Sequence, residues 1–168
     1  AWNKVIKSEL YRNSDIRFPK GIWYEDLATT GAYVNFAQKI YYLDENLYYY
    51  RQRKHSIMNQ DNYNKKMLDI RTAMELIMNR SDLHLYHDEL EYVCISNLIY
   101  QSAERLLSYQ RYIEIEQLTS FANQCFVHWE SNPYLKRRSR LYRTTCRMIK
   151  RKHYRMAKLL YYLKNKMV

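Results

Sequence analysis

Two glycines and two prolines are all that punctuate these 168 residues. Turns and strand ends draw heavily on those two residue types, so their scarcity favours long helices over many short strands. The length suits one modest domain with a real core. Hydrophobic residues make up 47% of the chain, which excludes global disorder.

The formal charge of +11 is unevenly placed. Residues 1–135 carry 15 basic and 17 acidic side chains, whereas residues 136–168 carry 13 basic and none acidic. The basic character therefore belongs to the tail. Cys94, Cys125 and Cys146 are odd in number and form no CxxC pair, which fits reduced thiols in a cytosolic compartment. Ala1-Trp2-Asn3-Lys4 opens without the apolar segment of a signal peptide, and no run approaches the roughly 20 apolar residues of a membrane span. The first residue is Ala, and the sequence reads as starting inside a domain.

Three zones follow from the pattern. Residues 1–60 mix strands with one helix. Val5–Tyr11 fits a short strand or a helical turn, and Ile16–Gly21 a loop. Glu25 and Asp26 open a helix, because acidic residues suit a first turn, and Leu27, Thr30, Val34 and Ala37 continue at helical spacing. Lys39–Leu43 and Leu47–Arg53, joined by Asp44-Glu45-Asn46, read as a hairpin. Residues 61–132 are helical, with one stripe of Met67, Ile70, Met74 and Ile77 and another of Ile115, Leu118, Ala122, Cys125 and Trp129. Between them, 86–108 is apolar on more than one face, as a buried segment would be. The third zone, 133–168, starts after the helix breaker Asn132-Pro133. It holds two short basic helices with apolar stripes Leu141, Tyr142, Cys146, Ile149 and Met156, Leu159, Leu160, Leu163, Met167.

Several residues could carry chemistry. Asp26 at a helix start is either a cap or a carboxylate kept ionised by the helix N-terminus, as a general base must be. Trp23 and Tyr24 just before it offer either a stacking platform for a sugar ring or core packing. Arg51, Arg53 and His55 share one face if the strand continues, where they could neutralise a diphosphate; a solvated strand end is the alternative. His84, His87, Asp88 and Glu89 lack the i,i+4 histidine pair of a helical zinc site and fit a solvated loop and helix start.

The stretch Phe18-Pro19-Lys20-Gly21-Ile22-Trp23-Tyr24-Glu25-Asp26-Leu27-Ala28-Thr29-Thr30 carries the most information. Trp2-Asn3-Lys4 precedes it and Tyr48-Tyr49-Tyr50-Arg51-Gln52-Arg53-Lys54-His55-Ser56-Ile57-Met58 follows. Over residues 1–60 this order and spacing resembles family 2 glycosyltransferases of bacterial surface-polysaccharide pathways. The resemblance implies an α+β, mostly helical chain: part of a GT-A catalytic domain on its acceptor side, with short strands and a hairpin, then a helical bundle. It implies a nucleotide-sugar donor, a glycan or lipid-linked acceptor, inversion at the anomeric carbon, and a divalent metal (Mg or Mn) in the full-length enzyme. Asp26 takes the place of the family's base, and Glu25 would orient the acceptor or hold the loop. Trp2, Asn3 and Lys4 would line the donor-sugar pocket, or be structural. Many relatives carry a metal-binding His where Arg53 stands here; His55 lies two positions later, so either the register shifts or Arg53 substitutes its charge for the metal contact.

The sequence has no Asp-x-Asp and no Gly-rich phosphate loop. The nucleotide-binding half is therefore expected to lie elsewhere, and this chain alone to be too incomplete for sugar transfer. The basic tail, 134–168, fits an in-plane helix on an anionic membrane at the inner, cytoplasmic face. Packing on the body with solvated charges ranks behind it, and nucleic-acid binding, unsupported by any motif, third. The rival to an enzyme is a non-catalytic basic helical module.

Overall fold

A computed structural model of the chain describes residues 3–51 and 62–166. Every regular element among them is helical. The chain forms two compact units, Ala1–His84 and Leu85–Val168.

In the first unit, α1 (Ser8–Asn13) leads through a loop to α2 (Glu25–Phe36), and a 3-10 turn, Lys65–Leu68, opens α3 (Asp69–Met78). The expected stripe Met67, Ile70, Met74, Ile77 is buried throughout. The buried face of α2 differs from the expected one. It consists of Ala28, Thr29, Ala32 and Tyr33, while Val34 is exposed. Two alanines leave room for α3, and Tyr33 reaches back so that its hydroxyl donates to the Ile16 carbonyl at 2.7 Å. Ile16, Ala32 and Tyr33 form a small cluster on which Leu10 and Phe18 lean. Arg17 ties the loop to the end of α1: its Nη1 donates to the carbonyls of Tyr11, Ser14 and Ile16 at 2.7–2.9 Å.

The expected strands and hairpin are absent among the described residues; 37–51 has no regular structure. The reason is energetic. A lone hairpin is marginal in water unless one face is covered. Here neighbouring side chains that would point to opposite faces are both in solvent, as with Tyr41 at 84% and Tyr42 at 87% exposed. Pairing would bury nothing. The local bonds are Tyr42 hydroxyl to Asp44 Oδ1 at 3.2 Å and Leu47 N–H to the Glu45 carbonyl at 3.1 Å.

The second unit centres on α4 (His87–Ile95), which runs through a wider π segment (Ser96–Gln101) into α5 (Ser102–Ser108). As the two-faced apolar pattern implies, Cys94, Ile95, Leu98, Ile99, Ala103, Leu106 and Leu107 are buried around it. In the π segment Ser102 Oγ donates to the Asn97 carbonyl five residues back at 2.6 Å. α6 (Tyr112–Cys125) buries Ile115, Leu118 and Ala122. Cys125, expected on that stripe, is exposed, and Trp129 packs from a following 3-10 turn (Trp129–Ser131), its Nε1 donating to Asn123 Oδ1 at 2.8 Å. α7 (Pro133–Lys136), α8 (Arg140–Lys150) and α9 (Tyr154–Lys166) complete the unit.

Tyrosines account for much of this core. Tyr100 stacks on Tyr142 with centroids 3.8 Å apart, Tyr142 hydroxyl donates to Ser96 Oγ at 3.1 Å, and Tyr161 hydroxyl donates to the Tyr100 carbonyl at 2.6 Å. Tyr142 and Tyr161 are each buried with the polar tip satisfied. None of the three cysteines forms a disulfide, and burial pushes the Cys94 and Cys146 thiols up to about 12, which makes them inert packing groups. Lys150 and Arg147 hold the Glu130 carboxyl below the usual carboxylate range. No helix among the described residues is long and apolar enough to cross a membrane.

Candidate active site

The loop that carries the Glu25-Asp26 pair is fastened to the start of α3. Lys66 Nζ donates to the Gly21 carbonyl at 3.0 Å, and the Trp23 N–H donates to Asp69 Oδ2 at 2.9 Å. Upstream, Phe18 packs on Tyr33 with centroids 6.0 Å apart. Gly21 has φ 84°, a left-handed turn that glycine makes at no steric cost.

Tyr24 is also left-handed, at φ 65° and ψ 28°. For a residue with a Cβ this costs about 1–2 kcal/mol, and such strain persists only where the surroundings impose it. Tyr24 is the residue from which α2 departs: its carbonyl accepts the Ala28 N–H at 3.1 Å. The loop contacts to Lys66 and Asp69 hold the chain on one side and the α2 ladder holds it on the other. The sign of the Gly–Ala difference tests this. Tyr24→Gly should be more stable than Tyr24→Ala by about 1 kcal/mol, the reverse of the usual order. Urea unfolding of the two variants measures it, and an Ala variant as stable as the Gly variant would contradict the strain.

Asp26 is half-buried in the first turn of α2, and its Oδ1 accepts the Leu27 N–H at 2.8 Å. Burial pushes its carboxyl up. The Leu27 amide's hydrogen bond opposes that. Glu25 beside it is exposed, and Trp23 and Tyr24 are half-buried, so part of each aromatic side chain meets solvent. The structure thus brings Trp23, Tyr24, Glu25 and Asp26 together at one helix start.

The remaining sequence candidates are not joined to that group by the described contacts. Asn3 and Lys4 are exposed, with Lys4 Nζ donating to Asn3 Oδ1 at 2.6 Å. Arg51 is exposed at the end of the irregular stretch. Trp2, Arg53 and His55 lie outside the described residues, and so does the shared face of Arg51, Arg53 and His55. Among the described residues no cluster of three His, Cys, Asp or Glu side chains could hold a metal ion. The donor set for a divalent ion is not assembled by them.

A recess of about 180 Å³ in the first unit is lined by Asp15, Ile16, Arg17, Pro19, Ala28 and Arg80, among others. None of the sequence candidates lines it. Its guanidiniums are engaged: Arg17 caps α1, and Arg80 is paired with both oxygens of Asp82 at 3.0 and 3.2 Å. Sequence reading missed Lys66 and Asp69, the residues that hold the loop, because they stand 45 and 46 positions from their partners.

The chain is similar to a glycosyltransferase. Over 131 residues it is 28% identical to glycosyltransferase GlyG of Streptococcus pneumoniae serotype 4 (strain ATCC BAA-334 / TIGR4), an alignment that takes in 73% of this chain. The chain spans only 39% of that protein's length. No family model matches the chain, and no solved structure does. The likeness to the glycosyltransferase is distant.

Proposed function

We propose that this chain is the acceptor-side portion of an inverting family 2 glycosyltransferase that moves a sugar from a nucleotide-sugar donor to a polysaccharide or lipid-linked acceptor. The observation that carries the proposal is the Asp26 carboxyl, partly open at a helix start entered through a strained tyrosine. In this reaction the acceptor hydroxyl oxygen attacks the anomeric carbon. Its proton passes to Asp26, and the bond to the diphosphate oxygen breaks with its electron pair leaving on the nucleoside diphosphate. Attack from the face opposite the leaving group inverts the configuration.

The neighbouring residues have complementary roles. Trp23 and Tyr24 present aromatic surface to the acceptor sugar. Glu25, exposed, accepts hydrogen bonds from its hydroxyls. Arg51 and Arg53 meet the charge that grows on the diphosphate. Trp2, Asn3 and Lys4 face the donor sugar. The nucleotide, with Mg or Mn and the contribution of His55, is held by parts of the enzyme outside the described residues. The distant similarity to a glycosyltransferase supports the reading.

The test is transfer by the full-length protein from a panel of nucleotide sugars, with the product's anomeric configuration read by NMR. The expected product has the configuration opposite to the donor's. A product that retains the donor's configuration, or no transfer from any donor, would sink the proposal.

A further inference from the structure

Helix α9 turns its apolar stripe away from the protein. Ala157 and Tyr161 form its buried line. Met156, Leu159 and Leu163 are 53%, 49% and 43% exposed. Spaced i, i+3 and i+7, they share one face of the helix. Arg155, Lys158 and Lys166 are exposed along the flank, with Tyr162 among them under the Lys166 ammonium at 4.8 Å.

We propose that this face of α9 docks on an anionic lipid surface. The helix lies in the plane of the membrane, with Met156, Leu159 and Leu163 among the acyl chains and the flanking lysines and arginines against headgroup phosphates. Three observations select this occupant. No helix among the described residues is long and apolar enough to cross a bilayer, and the charged, amphipathic α9 is suited to lying along one. Residues 136–168 carry 13 basic and no acidic side chains, so a second copy would bring like charge against like charge. A nucleic acid would satisfy the cations but leave the leucine face in water. Anionic lipid satisfies both at once.

The experiment is co-flotation of the 168-residue chain with vesicles, and it needs no turnover, so its outcome is independent of Asp26. The chain should float with phosphatidylglycerol-containing vesicles and stay in solution with phosphatidylcholine alone. Leu159→Glu/Leu163→Glu should lower partitioning at least about tenfold, and raised salt should weaken it. Both leucines are exposed, so the variant's circular dichroism and melting should match the parent's. Lys158→Glu/Arg155→Glu should weaken binding with the leucines intact. Failure to float, equal binding to neutral vesicles, or unchanged binding by the leucine variant would overturn the proposal. So would light scattering that shows a dimer which the leucine variant dissociates, or binding to duplex DNA in preference to vesicles.

Discussion

Asp26→Asn in the full-length enzyme should lower transfer by about 10²–10⁴, the usual contribution of a positioned general base. Asparagine has nearly the same shape and keeps an oxygen that can accept the Leu27 N–H, now made at 2.8 Å. It also remains acceptable in a helix first turn. The fold should therefore survive, and thermal unfolding should move little. What is lost is the site that takes the acceptor's proton. Binding of the nucleotide sugar, measured by calorimetry, should be unchanged, because the proposed donor contacts lie on other residues. Glu25→Gln should cost less, since an exposed side chain that orients the acceptor can still hydrogen-bond as an amide. Asp26→Asn turning over at the parental rate would remove Asp26 from the mechanism. Loss of donor binding in the same variant would instead make it a structural residue of the loop.

The parts of the fold that were legible in the sequence are those decided locally. Glu25 and Asp26 mark the start of α2 through the helix dipole, and the stripe Met67, Ile70, Met74, Ile77 is buried as its spacing demands. What misled was pattern without a partner. The aromatic run at 39–51 alternates and is rich in tyrosine, but a strand needs a neighbour and a covered face, and neither is present among the described residues. In α9 the stripe is real, yet Tyr161 rather than a leucine packs against Tyr100, where its hydroxyl also satisfies a carbonyl. For the site, the linear order of Trp23, Tyr24, Glu25 and Asp26 could be read directly. The left-handed turn at Tyr24 could not, since propensity argues against it and contacts made from Lys66 and Asp69 hold the loop before it.

Asn132 shows the same limit on a residue that the sequence marks only as a helix breaker, and it supports the largest stability prediction. Its side chain uses all four of its hydrogen-bonding positions at 3% exposure. Oδ1 accepts the N–H groups of Tyr134 and Leu135 at 2.9 and 3.1 Å, capping α7, whose first position is Pro133. Nδ2 donates to the Asp88 carbonyl at 2.8 Å and to Glu91 Oε2 at 2.7 Å, tying α7 to α4. Glu91 is itself buried, so Asn132→Ala removes a cap worth about 1 kcal/mol and also strips a buried carboxylate of a donor, at about 1.5–3 kcal/mol. The combined loss of about 2.5–4 kcal/mol is large against the roughly 5–15 kcal/mol by which domains are usually stable. Asn132→Ser should recover roughly the cap, because its hydroxyl can accept from the helix start but does not reach Glu91 in the same way. Asn132→Asp keeps the cap and sets a second carboxylate against Glu91, so at neutral pH it should be at least as damaging as Ala. Chemical unfolding followed by far-UV circular dichroism measures the loss. An Asp variant as stable as the parent would show that the contact with Glu91 contributes nothing, leaving Asn132 as a helix cap alone.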